Sequence, residues 1–117
     1  MDLRFDCFFY HVSEMDRAVS FYRDILGLRL SSRDVVARFD IDGVLFELVP
    51  DGPGRGGGGM LCLKTHNLSE TREELRQLGV AVSEARSVEN GTLAYVHDPD
   101  GNAICLWQER SECMATR

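Results

Sequence analysis

The chain has 117 residues, 44% of them hydrophobic and 27% charged, with a formal net charge of −6. That composition suits one folded domain of ordinary size and excludes an intrinsically disordered chain. The acidic balance argues against nucleic acid as a partner and favours a neutral or cationic ligand. No apolar run is long enough to span a bilayer, and the start at Asp2 lacks signal-peptide character. The expectation is a cytoplasmic protein with no membrane partner. The four cysteines are Cys7, Cys62, Cys105 and Cys113. In that compartment they are expected as thiols, and none has the Cys-x-x-Cys spacing of a zinc ribbon or redox dithiol.

Residues 3–12 read as an aromatic-rich strand with Phe5, Cys7, Phe9 and His11 on one face. Ser13-Glu14-Met15-Asp16 reads as a helix start with capping-box character. Met15, Ala18, Val19, Tyr22, Ile25 and Leu26 then follow at helical spacing, and Gly27 is a natural stop. Three strands are expected next, at 28–30, 35–40 and 44–49, with Asp42-Gly43 as a two-residue hairpin turn. Residues 51–59 are Gly-rich and read as a linker. They lack the Lys-Ser/Thr ending of a phosphate loop.

The pattern then repeats. Met60 to Thr65 reads as a strand, and Asn67-Leu68-Ser69-Glu70 as a capping box. Leu68, Thr71, Leu75 and Leu78 form a helical stripe that Gly79 ends. Strands are expected at 80–82, 92–96 and 103–108, with a polar tail over 109–117. Asp98-Pro99-Asp100-Gly101 opens the last strand as a turn. In that strand Cys105 and Trp107 share one face, and Ile104 and Leu106 the other. The fold class is therefore α+β, an internal duplication of two tandem βαβββ modules within one domain over residues 1–117. The modules run over about 3–50 and about 60–108.

Aligning the two copies on Val12 and Thr65, and on the two Asp-Gly turns, sets Cys7 opposite Met60 and Glu47 opposite Cys105. All four are expected in mid-strand, on the face turned from the helices. That face also carries Phe9, His11, Arg38, Leu45, Cys62, Lys64 and Trp107, a largely apolar lining with a few polar groups, as in a small-molecule site. Trp107 serves equally well as a core filler. Glu47, among Leu45, Phe46, Leu48 and Val49, needs a partner if buried; Arg38 or cavity water could supply one.

The stretch Val12-Ser13-Glu14-Met15-Asp16-Arg17-Ala18-Val19-Ser20-Phe21-Tyr22-Arg23-Asp24-Ile25-Leu26-Gly27, with Asp98-Pro99-Asp100-Gly101-Asn102, resembles the vicinal oxygen chelate superfamily. That group includes glyoxalase I, the extradiol dioxygenases, and the fosfomycin- and bleomycin-resistance proteins. The resemblance implies a curved sheet around a cavity and a homodimer. In the enzymes it implies a divalent metal on His and Glu at the four positions that here are Cys7, Glu47, Met60 and Cys105.

Only Glu47 keeps a usual ligand of that pattern. Thiol and thioether are soft donors, poorly matched to the hard cations of these enzymes. The leading expectation is thus a small-molecule-binding protein without the usual catalytic metal, sequestering a toxic or antibiotic compound. Its candidate ligand contacts are Phe9, His11, Arg38, Lys64 and Trp107. One alternative is a metal-dependent lyase, isomerase or dioxygenase with Glu47 as catalytic residue and an atypical ligand set. Another is a thiol-dependent or soft-metal protein using Cys7 and Cys105.

Overall fold

The computed structural model describes residues 1–2, 6–50 and 60–110. The Gly-rich segment 51–59, residues 3–5 of the first expected strand and the tail from 111 lie outside the described residues. The elements are β1 (Phe8–His11), α1 (Met15–Ser20), β2 (Arg29–Arg33), β3 (Ala37–Ile41) and β4 (Val44–Val49), then β5 (Leu61–Lys64), α2 (Leu68–Gln77), β6 (Arg86–Val88), β7 (Gly91–His97) and β8 (Ala103–Glu109). The expected βαβββ order occurs twice. The strands form two open four-stranded sheets, ordered β1-β4-β3-β2 and β5-β8-β7-β6. In each, the first strand pairs in parallel with the last, and the remaining pairs are antiparallel. The chain divides into two compact units. The first holds β1–β4, α1 and the turn Asp98–Gly101; the second holds β5–β8 and α2.

In the first unit, strand alternation separates two faces. Phe46 and Leu48 of β4, Ala37 and Phe39 of β3 and Tyr10 of β1 are buried with Ala18, Val19 and Tyr22. Phe8, Tyr10, Tyr22, Phe39 and Phe46 form one aromatic cluster, with neighbouring ring centroids 5.1–6.1 Å apart. Such pairs stabilise beyond the apolar area they bury. Asp42 and Gly43 have φ of 53° and 86°. This is the type I′ turn that the Asp-Gly pair demands, and its twist matches the β3–β4 hairpin. The Gly43 amide also donates to Asp40 Oδ1 at 2.8 Å.

Helix α1 departs from its sequence pattern at both ends. Its N-cap is Glu14, with no side-chain cap. Ser13 is engaged elsewhere, its amide and hydroxyl both donating to Asp100 Oδ1, at 3.1 and 2.5 Å. After Ser20 the helix widens into a π-helical turn over Phe21–Ile25, where the Leu26 amide donates to the Phe21 carbonyl at 3.0 Å. The wider turn brings Phe21 into the core and leaves Ile25 and Leu26 half-buried. Tyr22 is fully buried, and its hydroxyl donates to Asp98 Oδ2 at 2.8 Å. The Asp98 turn closes as its sequence predicts: Gly101 N donates to Asp98 O, and Asp100 N to Asp98 Oδ1, both at 2.9 Å.

In the second unit, Ala94, Val96, Ile104 and Leu106 are buried with Leu68 and Leu75 of α2. The expected cap forms, with Asn67 Oδ1 accepting from Glu70 N at 3.0 Å. Two expectations fail here. Leu78 is exposed rather than part of the buried stripe, and 80–82 is not a strand. The cause is a Schellman turn: Gly79, at φ 85°, donates to Arg76 O at 3.0 Å, and Val80 N donates to Leu75 O at 2.9 Å. The Val80 amide is thereby taken, and the strand forms later, at Arg86–Val88. The edge strand β2 likewise runs to Arg33, past its expected end at 30, with a bulge between Leu30 and Ser32. Both edges are polar and mostly exposed, so neither carries the apolar alternation that marks a strand in sequence. Strand β8 also continues to Glu109, into the expected tail. Among the described residues, no helix is long and apolar enough to cross a membrane.

A Cβ at Gly91 would come 2.1 Å from the Gln108 carbonyl oxygen and 2.9 Å from Trp107 Cη2. Gly91→Ala should therefore lower the unfolding free energy by about 1–3 kcal/mol, measured by denaturant titration. Burial, followed by the neighbouring Asp98 carboxylate, holds the Tyr22 hydroxyl far above the ordinary tyrosine range. The folded chain then keeps a proton that the unfolded chain loses near pH 10, so Tyr22 makes stability fall as pH rises past that value. Tyr22→Phe should flatten this alkaline slope and cost about 1–3 kcal/mol at neutral pH by removing the buried hydroxyl that donates to Asp98 Oδ2. Thermal melts between pH 7 and 11 test both effects.

Candidate ligand-binding site

The face of the first sheet turned from α1 is organised by register. Phe9 of β1 and Arg38 of β3 both pair directly with Glu47 of β4, which puts an aromatic ring, a carboxylate and a guanidinium in one row across three strands. Arg38 Nε donates to Glu47 Oε2 at 3.1 Å. The Cys7 thiol donates to the other oxygen, Oε1, at 3.9 Å. The Glu47 side chain is 18% exposed and that of Arg38 44%, so the pair lies partly out of water and is worth little more than a surface ion pair. His11 ends β1 on the same face, its ring edge-on to Phe9 at 5.5 Å. Phe9 is 48% exposed, which leaves an aromatic surface beside the ion pair.

The equivalent face of the second sheet has a different character. Cys62 pairs with Cys105, and Tyr95 pairs with Cys105 from the other side. One step along, Lys64 and Leu93 flank Trp107 in the same way. Lys64 Nζ lies 3.2 Å from Glu109 Oε1 in an exposed ion pair. Cys105 is buried, while Cys62 and Met60 are exposed. The pairing of Cys62 with Cys105 is the feature that residue-by-residue reading missed. The offset that maps Cys7 onto Met60 also maps Phe9 onto Cys62, so the duplication held the signal.

Glu47 and Cys105 occupy mid-strand positions as expected. Cys7 and Met60 do not: each stands just ahead of its strand, because ladder pairing begins at Phe8↔Phe46 and at Leu61↔Ile104. Cys7 still reaches Glu47, and this contact decides its chemistry. Burial first, then the charges of Glu47 and Asp6, push the Cys7 thiol up. It is held as a neutral hydrogen-bond donor and is a poor nucleophile at neutral pH. Cys105 is pushed up to about 11 by burial and by the adjacent Cys62 thiol.

The four positions that would carry a divalent metal do not fit one. Among the described residues, no group of three or more His, Cys, Asp and Glu side chains is placed to hold an ion. The donor chemistry is also wrong. The one hard donor, Glu47, has a guanidinium on one oxygen and a thiol on the other. A divalent cation would have to displace the first and deprotonate the second, with soft sulfur as its other donors.

The effect of Glu47 on Cys7 is measurable. Glu47→Gln removes a neighbouring negative charge, so the pH midpoint of iodoacetamide alkylation at Cys7 should fall. An unchanged midpoint, followed by mass spectrometry of the Cys7 peptide, would mean that burial and Asp6 set the thiol without Glu47.

The model of the Glyoxalase/Bleomycin resistance protein/Dioxygenase superfamily matches residues 4–106. Among solved structures, the chain is similar to TnmS3, an antibiotic binding protein from Streptomyces sp. CB03234, at 26% identity and a TM-score of 0.77, covering 93% of this chain and 99% of that one. It is similar to a glyoxalase/bleomycin resistance protein from the same Streptomyces strain at 28% identity and a TM-score of 0.74, covering 87% of this chain and 97% of that one. The fold is shared with FosX, a fosfomycin resistance protein from Listeria monocytogenes solved with Mn(II) and sulfate, at 15% identity and a TM-score of 0.78, covering 99% and 98%. A search of curated proteins found no match.

Proposed function

As the chain belongs to the glyoxalase/bleomycin resistance protein/dioxygenase superfamily, we propose that it binds a small organic ligand without a catalytic divalent metal, sequestering a toxic or antibiotic compound. The observation that carries this reading is the state of Glu47. The one remaining family-type ligand is neutralised by Arg38 and capped by Cys7. A carboxylate so held can orient a ligand by accepting a hydrogen bond, but is poorly placed to take an ion. The similarity to an antibiotic binding protein at 26% identity supports the same reading.

In this reading Phe9 stacks on a planar ligand. His11 and Arg38 supply the further contacts on the first sheet, where Glu47 accepts from a ligand donor, and Lys64 and Trp107 are the proposed contacts on the second. The net charge of −6 favours a cationic or neutral compound over an anionic one. The protein acts in the cytoplasm as a homodimer.

Two measurements test the proposal. Elemental analysis after incubation with Ni, Zn, Mn and Fe(II), then desalting, should find no stoichiometric divalent metal. Titration with planar cationic antibiotics, followed by fluorescence of Trp107, the single tryptophan, should give saturable quenching. Phe9→Ala should weaken that binding about tenfold, the scale of one lost aromatic contact. One equivalent of divalent metal, lost in Glu47→Gln, would overturn the reading in favour of a metalloenzyme.

A further inference from the structure

Cys62 and Cys105 are direct register partners on adjacent parallel strands of the second sheet. Directly paired residues project to the same face, with their strands about 4.8 Å apart. Both cysteines are free thiols, and neither is in a disulfide. One is exposed and the other buried, so the pair opens to solvent at one end only. Tyr95 flanks it from β7, and Trp107 stands one step along β8. The pair lies in the second unit and shares no residue with the Cys7–Glu47–Arg38 row of the first, and neither thiol is a contact in the proposed ligand binding.

We propose that Cys62 and Cys105 form a two-thiolate site for a soft monovalent metal ion, Cu(I). Two sulfurs are the donor set here, because among the described residues no group of three or more His, Cys, Asp and Glu side chains is placed to hold an ion. That number excludes Zn(II), which needs four ligands in a structural site and three in a catalytic one. It suits a soft ion that accepts two sulfurs in line. With metal–sulfur bonds of about 2.3 Å, a linear pair spans roughly 4.6 Å, close to the strand spacing. On binding, each thiol releases its proton to solvent and each sulfur donates a pair to the ion. No electron is transferred, and the copper stays Cu(I). Tyr95, Leu93 and Trp107 are half-buried around this row and limit water at the ion.

The test uses the full chain, fully reduced and kept under anaerobic conditions, titrated with Cu(I) in competition with bicinchoninate. The expected result is one Cu(I) per chain, with an X-ray absorption edge and shell of two sulfurs. Cys62 is exposed, so Cys62→Ser should keep the fold, checked by circular dichroism, and should weaken Cu(I) binding at least 100-fold. Cys105→Ser should do the same, but its buried position makes Cys62→Ser the decisive variant. Unchanged affinity in Cys62→Ser, or an equal loss in Cys7→Ser, would overturn the assignment. Phe9→Ala distinguishes the two proposals, because it should weaken antibiotic binding and leave the Cu(I) affinity unchanged.

Discussion

Strand alternation in β4 is the constraint on which the first unit depends. Phe46 and Leu48 are held in an aromatic core by Tyr10, Tyr22 and Phe39. A slip of one residue would exchange the two faces of the strand, so this packing also determines where Glu47 stands. A carboxylate placed among apolar neighbours is stable only if its oxygens are satisfied. The register on either side supplies the partners: Arg38 is opposite on β3, and Cys7 stands just ahead of β1. The core thus dictates the polar face, even though the two share no side chains.

The same logic underlies the proposal that this face takes a ligand without an ion. In a metal site the carboxylate is neutralised by the cation, and its neighbours must be deprotonated or neutral donors. Here the balancing charge is part of the chain. The guanidinium is always charged, and the thiol on the other oxygen keeps its proton because burial and nearby carboxylates oppose the thiolate. What remains is an oriented acceptor beside an exposed aromatic ring, an arrangement suited to recognition. The FosX structure, solved with Mn(II), shares the fold at 15% identity. At that distance the likeness carries the backbone and not the chemistry.

Around Asp98 the polar contacts serve the architecture. One oxygen of its side chain accepts from the fully buried Tyr22 hydroxyl and the other from the Asp100 amide, while its carbonyl accepts from Gly101. Asp100 in turn holds Ser13 ahead of α1. This network replaces the side-chain cap that α1 lacks. It gives the Asp-Pro-Asp-Gly turn a role in packing that its turn propensity does not reveal.

The sequence by itself determined the duplication, both βαβββ orders, the I′ turn at Asp42-Gly43, the Asn67 cap and the helix stops at Gly27 and Gly79. Apart from the duplication, which is a repeat along the chain, these are local, set by residue type and spacing within a few positions. It also placed Cys7, Glu47, Met60 and Cys105 at matching points and offered Arg38, beside cavity water, as a partner for Glu47. It failed where long-range contacts compete with local preference. Ser13 bonds to Asp100 instead of capping α1, Val80 is taken by the turn after α2, and the edge strands β2 and β6 lack an apolar stripe. Only the tertiary structure decided that Cys62 faces Cys105 and that both oxygens of Glu47 are occupied. Those facts depend on which strands pair and in what register, and pairing between distant segments is set by the packing of the whole unit.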